Sequence, residues 1–379
     1  MNPSNATEAD AASNRGRVER PETPDEAARI VAASERIVVV GRGTKPGPRA
    51  GDPVSAIRLD LSALSGILEY EPTEFTLTAR AGTPLRELRA ALEENGQYLP
   101  FDPPLVDAGA SLGGTLACGL SGPGRVRFGG ARDFVLGLRF VDGHGTIVRG
   151  GGKVVKNAAG FDFPKFFVGA CGEFGAVLEW TVKVFPLPPV RRSFVVDGLD
   201  PARAVDTIVR LTTRPLDLDA LDLRPEGERI AMRIRMAGEP ESIERQVGTI
   251  ASLLNVEPAE VGAIAWYELD DLTWCGADRT LVRVPTPLGK FSALLAAIDA
   301  EGADWRASAG GQLVWVSLPA EGFASFGRRM AALGLTGLTI RPSSGSPRGG
   351  RIGSSIERTF LTRVRQALDP QGRFGVLDA

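Results

Sequence analysis

The sequence has a single histidine, only three cysteines and a near balance of charge, with 44 Lys and Arg against 46 Asp and Glu. Each shortage removes a class of function. One imidazole, His144, makes no metal centre by itself, and Asp142-Gly143-His144-Gly145 between two strand-like runs reads as an ordinary turn. Cys118, Cys171 and Cys275 stand far apart with no CxxC pair, which leaves too few ligands for a zinc ribbon or a protein-held iron–sulfur cluster. No metal site is expected, and any cluster belongs to another chain. A formal net charge of -2 supplies no positive field for a polyanion, so nucleic acid is not an expected partner.

Long apolar runs are also missing. Stretches such as Ile37 to Val40 and Gly175 to Leu178 fall far short of the ~20 residues that a membrane-crossing helix needs. Residues 1 to 20 have no apolar central segment of the kind a secretory signal needs, and they read as a disordered tail on a cytoplasmic protein. With 379 residues, of which 43% are hydrophobic, the chain is long enough for two domains.

The first domain, 21 to 189, is expected to open on a helix capped by Thr23 and to continue into a buried strand, Ile37 to Val40. That strand stops at Gly41-Arg42-Gly43-Thr44-Lys45-Pro46-Gly47-Pro48, whose glycines and prolines end regular structure. Short strands follow at Ile57 to Leu61, Leu68 to Tyr70 and Thr76 to Ala81. A helix from Pro84 to Glu94 then turns Leu85, Leu88 and Leu92 inward, with Pro84 in its first turn. Phe134 to Val141 and Thr146 to Arg149 read as a hairpin, and Ala176 to Phe185 as a long strand. Pro186 to Pro189 is the expected linker.

The pattern then changes to two successive βαββα(β) units over 190 to 345. The first ends in a strand near Gly262 to Trp266, and the second runs from Leu281 to Ile340. Two such units can merge into one antiparallel sheet with helices on one face and the other face free to cover a ligand. A last helix, Ser355 to Leu368, within 346 to 379, is expected to return to the first domain.

Two segments carry candidate chemistry. Gly41, Arg42, Gly43, Thr44 and Lys45 follow a buried strand, where missing side chains let main-chain N–H groups approach a phosphate. Gly109, Ala110, Ser111, Gly113, Gly114 and Thr115 read as a helix start with Ser111 as cap, whose free N–H groups suit an anion. Neither GxxxxGK[ST] nor GxGxxG is present, so a P-loop NTPase and a Rossmann turn are both disfavoured. A dinucleotide site built from two separate loops remains. Arg125, Arg127 and Arg132 flank further glycines, with either a surface role or an anion contact open to them. Lys156 could offset negative charge on a bound group or pair with Glu173 or Asp162.

From Val38 to Pro188 the chain resembles the FAD-binding domain shared by vanillyl-alcohol oxidase and p-cresol methylhydroxylase. The likeness lies in the glycine loop, the Ala110-Ser111-Leu112-Gly113-Gly114 helix start and Gly169-Ala170-Cys171-Gly172-Glu173-Phe174-Gly175 entering a strand. Lys156-Asn157-Ala158-Ala159-Gly160-Phe161-Asp162 is similar to a segment of the FAD-binding subunits of glycolate oxidase complexes, and Gly119 to Phe128 continues that likeness. The resemblance implies an α+β protein, with a two-lobed FAD-binding domain of the p-cresol methylhydroxylase type and a ferredoxin-like (split βαβ) cap. It places non-covalent FAD between Gly41 to Lys45 and Gly109 to Thr115, with Val177 offering backbone groups near the adenine or the ring edge. No histidine or cysteine stands in the first loop to bond the flavin covalently.

The implied partners are a catalytic flavoprotein subunit, an iron–sulfur subunit and a small 2-hydroxy acid. The complex is the one route by which the chain would reach the inner membrane. Two other readings stay open. One is a self-sufficient FAD-dependent dehydrogenase with Arg341 or Tyr267 as substrate contacts, and the other is a flavin-less structural subunit. No base for a hydroxyl proton stands out in the sequence.

Overall fold

A computed structural model describes residues 16–49, 53, 55–152, 161–262, 266, 272–343, 349–355 and 359–377. The chain begins with β1 (Val18–Glu19), the helix Pro24–Ala33, β2 (Ile37–Val40) and β3 (Ile57–Asp60). These strands form a parallel sheet in the order β1-β3-β2. Val18 pairs with Arg58 and Glu19 with Leu59, so within the segment expected to be tail these two residues are strand, because an edge strand needs backbone partners more than apolar side chains. Residues 1 to 15 lie outside the described residues. The helix has the expected cap, Thr23 accepting from Glu26 N at 3.2 Å while Glu26 reaches back to the Thr23 amide.

A second, antiparallel sheet is built from β4 (Ile67–Glu71), β5 (Thr76–Arg80), β7 (Val135–Val141), β8 (Ile147–Gly151) and β9 (Ala176–Lys183), in the order β4-β5-β9-β7-β8. Strand β9 alternates buried and half-buried positions along its whole length, which directs Ala176, Leu178, Trp180 and Val182 inward. The helix Leu85–Glu93 packs Leu85, Leu88 and Leu92 into this core, each burial contributing about 2 kcal/mol. Pro84 stands one residue outside the helix in an extended conformation, as its N-cap and not in its first turn. His144 occupies the β7–β8 turn, where Asp142 accepts from the His144 and Thr146 amides at 2.9 Å each. The segment read as a free linker is pinned, since β10 (Phe185–Pro186) pairs with β6 (Gln97–Tyr98).

The second half forms one nine-stranded antiparallel sheet from two split βαβ units. The first unit comprises β11 (Val190–Leu199), β12 (Leu218–Glu226), β13 (Arg229–Gly238) and β14 (Ala259–Val261). The second comprises β15 (Thr280–Pro285), β16 (Asp304–Ser308), β17 (Leu313–Leu318) and β18 (Thr336–Arg341), with β19 (Arg351–Gly353) at the edge. The order is β14-β11-β13-β12-β16-β17-β15-β18-β19, and the units join where Leu223 pairs with Ala307. Most of the strand expected near Gly262 to Trp266 lies outside the described residues; just before it, β14 pairs Ala259 to Val261 with Ser193 to Val195.

Alternation along β17 explains how the sheet serves two layers. Val314, Val316 and Leu318 face the cap helices, while Leu313 and Trp315 join the core of the first lobe. The C-terminal helix Thr359–Leu368 then returns the chain to the first lobe, where Phe374 bridges in parallel to Ile37.

Candidate functional site

The two glycine segments meet at one cavity of about 960 Å³, walled by both sheets of the first lobe. Gly41, Arg42, Gly43, Thr44 and Lys45 line one side, and Gly109, Ser111, Gly113 and Gly114 line another. Their contact is direct, since a Cβ added to Gly41 would lie 3.1 Å from Ser111 Oγ. Gly43 has φ +76, a left-handed backbone that lets the loop double back after β2.

The helix start forms as expected, over Leu112–Ala117, with Ser111 extended and its hydroxyl accepting from Gly114 N at 3.2 Å. Gly113 lets this helix lie on the end of β5, where a Cβ would come within 2.6 Å of the Ala81 Cβ. Gly114 has a different neighbourhood, for a Cβ there would face Ser111 Oγ at 3.2 Å and Lys45 Nζ at 3.7 Å. A lysine ammonium thus stands over bare main chain at the junction of the two loops. Lys45 Nζ donates to Thr44 Oγ1 at 2.8 Å, and burial pulls its pKa below the usual lysine value. An anion in the cavity would act in the opposite sense.

Other expected residues are placed as follows. Val177, on β9, lines the cavity. Ala110 and Thr115 are buried and do not line the cavity: Thr115 lies on the inward side of the helix, and Ala110, before it, is held by main-chain bonds to Leu85 and Leu105. Lys156, with the whole stretch 153 to 160, lies outside the described residues, as does Tyr267. Arg127 serves the lobe interface instead of the cavity, donating to Ala237 O at 3.1 Å and to Asp217 at 3.2 Å. Arg132 donates to Lys165 O at 3.2 Å, and Arg341 to the main-chain carbonyls of Cys275 and Gly276. Glu173 is buried and accepts from Arg351 at 3.2 Å, Arg365 at 3.4 Å and the Leu377 amide at 2.8 Å.

Several lining residues escaped the sequence reading. Arg20 and Arg58 stand at the cavity with Asp60, which pairs with Arg20 at 2.8 Å. Burial would raise the Asp60 carboxyl, but hydrogen bonds from Ser62 and Arg20 hold it below the usual range. The most informative omission is a pair, Cys118 and Cys171, both of which line the cavity. Their 53-residue separation in sequence hides the fact that the turn Gly169–Gly172 folds back onto the end of the glycine helix. Only the glycines flanking each cysteine signalled close approach.

A parallel sheet against an antiparallel one, with a dinucleotide-sized cavity between glycine loops and a nine-stranded cap, defines an FAD-binding oxidoreductase. Residues 17–151 match the family described as FAD binding domain. The chain is 33% identical over 345 residues to glycolate oxidase subunit GlcE of Escherichia coli (strain K12), covering 90% of this chain and 93% of that protein. It belongs to the family of that subunit. It is also 27% identical over 253 residues to glycolate oxidase subunit GlcD of Bacillus subtilis (strain 168), covering 62% of this chain and 54% of that one. Among solved structures, an alkyldihydroxyacetonephosphate synthase matches with a TM-score of 0.68 at 15% identity, over 94% of this chain and 76% of that chain, a likeness of fold.

Proposed function

We propose that this chain is the non-covalent FAD-carrying subunit of a complex that oxidises glycolate to glyoxylate. The observation that carries the reading is the meeting of Gly41 with Ser111 and of Gly114 with Lys45 in one cavity. In this reading the amides of Gly41 to Lys45 hold the pyrophosphate and the Lys45 ammonium offsets its charge, while Gly113 and Gly114, whose own amides donate to Ala81 O and Ser111 Oγ, supply a bare wall that lets it come close. Val177 contributes main-chain groups to the ring system, while Ala110 and Thr115 support the wall from behind. The fit is steric as well as electrostatic, because a Cβ at Gly114 would enter the space between the loops.

When bound, FAD supplies the acceptor for a hydride leaving a hydroxyl-bearing carbon. The chain's own part is to position that acceptor in the first-lobe cavity and to screen it from water. The 93% coverage of a relative named as an oxidase subunit favours a place in an assembly. A catalytic flavoprotein and an iron–sulfur subunit are the proposed partners, with glycolate or a similar small 2-hydroxy acid as substrate. No described helix is long and apolar enough to cross a membrane, so a membrane location would come through those partners.

The test is to purify the chain alone and the assembly. FAD released intact by acid precipitation, no glycolate turnover by the isolated chain with an artificial acceptor, and turnover by the assembly are expected. Turnover by the chain alone would overturn the subunit reading, and a colourless chain that ignores added FAD would overturn the cofactor reading.

A further inference from the structure

Cys118 caps the C-terminus of the helix Leu112–Ala117, and Cys171 sits in the turn that follows the helix Phe163–Phe167. The main chain clamps these segments side by side, with Gly169 N donating to Leu116 O at 3.0 Å and Cys171 N to Ala117 O at 2.9 Å. A disulfide between them would require a Cα separation of ~4.4–6.8 Å, and the two main-chain hydrogen bonds hold the segments in direct contact. Cys171 is held at φ +49, a left-handed backbone that non-glycine residues rarely adopt. In that conformation its thiol lies 3.7 Å from Gly169 O, and Cys118 and Cys171 line the same cavity wall.

Two cations act on the pair. Lys45 reaches it from the first glycine loop, and Arg283, on β15 of the cap, is buried beside it and donates to Gly119 O. The hydrogen bond from Cys171 pushes the Cys118 thiol below its ordinary range; burial opposes this, and Lys45 and Arg283 assist it. The same contact, with burial, pushes Cys171 up. Lys45 acts on Cys118 and not on Cys171, which favours Cys118 as the more nucleophilic sulfur of the two. Cys275, buried in the cap loop against Gly276 O and Arg279 O, has no such partner thiol.

We propose that Cys118 and Cys171 form a peroxide-sensitive dithiol in the wall of the flavin cavity, with Cys118 as the attacking sulfur and Cys171 as the resolving one. The Cys118 thiolate attacks one oxygen of hydrogen peroxide, the O–O bond breaks, and hydroxide leaves and is protonated to water. Cys118 is then a sulfenic acid. The Cys171 sulfur attacks it, the S–S bond forms, and the sulfenic oxygen leaves as a second water with the Cys171 proton. Two electrons pass from the two thiols to the peroxide. Peroxide is also what a reduced flavin and dioxygen produce together, so the oxidant class arises where the pair stands. The inference rests on the FAD reading in one respect only: bound flavin would cover the approach to both sulfurs.

The experiment treats the purified chain with one equivalent of hydrogen peroxide and follows whole-protein mass, free-thiol count and peptide mapping. The thiol count should fall from three to one with a 118–171 cross-linked peptide and Cys275 intact. Cys171→Ser should stop at a trappable sulfenic acid on Cys118, and Cys118→Ser should remove the fast phase. Cys118→Ala and Cys171→Ala repeat the comparison without a hydroxyl in the wall. Absence of the 118–171 link, or oxidation of all three thiols at one rate, overturns the proposal. Saturating FAD should slow the reaction at least tenfold. If the link forms as fast with FAD as without it, the dithiol stands and the placement of flavin in this cavity falls.

Discussion

Gly41 and Ser111 are 70 positions apart in sequence and in contact in the fold, for a Cβ on the glycine would sit 3.1 Å from the serine hydroxyl oxygen. The serine is already committed, because its oxygen accepts from Gly114 N. Loop and helix start therefore fit most closely while Gly41 has no side chain, and both line one cavity. This contact brings two separate glycine segments into the wall of one cavity.

Neighbouring glycines should fail in different ways. Gly114→Asp sets a carboxylate beside Lys45 Nζ and in the pyrophosphate position, so at least a tenfold loss of bound FAD is expected with little change in Tm. Gly113→Ala drives a methyl group against Ala81 and should cost about 1–3 kcal/mol in stability. Flavin absorbance per protein and thermal unfolding separate the two outcomes.

Asp222 gives a pH prediction with a definite sign. Burial raises its carboxyl to about 7, against which the Ser308 hydroxyl and Arg235 act. The folded chain then holds a proton that the unfolded chain has lost, so this group makes stability fall as pH rises from about 4 to about 7. Above that window its unfavourable contribution is constant. Asp222→Asn should raise Tm at pH 8, flatten the slope below pH 7 and leave FAD content unchanged.

Glu173 is the acceptor shared by Arg351 at the edge of the cap, Arg365 on the C-terminal helix and the Leu377 amide. Three distant parts of the chain converge on one buried carboxylate. Removing it by Glu173→Ala should cost about 3 kcal/mol, and denaturant unfolding with limited proteolysis of the C-terminal helix would measure it. Glu173→Gln, which keeps an acceptor oxygen, should recover part of that loss.

Local patterns disclosed most of the architecture. The Thr23 cap, the Leu85, Leu88, Leu92 face and the alternation of β9 are written in neighbouring residues, and so is the doubled βαββα pattern of the cap. Edge strands were less legible, because Val18–Glu19 and Arg351–Gly353 are two and three residues long and owe their form to partners far away. The same limit applied to the site. Glycine spacing exposed both loops, but no local signal puts Cys118 beside Cys171, or Arg283 of the cap beside Gly119. Those contacts arise only when a turn closes on a helix end and one lobe closes on the other.

The most direct test of the central claim is a crystal structure of the purified chain with FAD bound. Pyrophosphate oxygens within about 3 Å of main-chain amides of Gly41 to Lys45 and packed against the bare main chain of Gly114, with Lys45 Nζ beside them, are the predicted result. A dinucleotide touching only one of these loops, or lying outside the cavity between them, would contradict it.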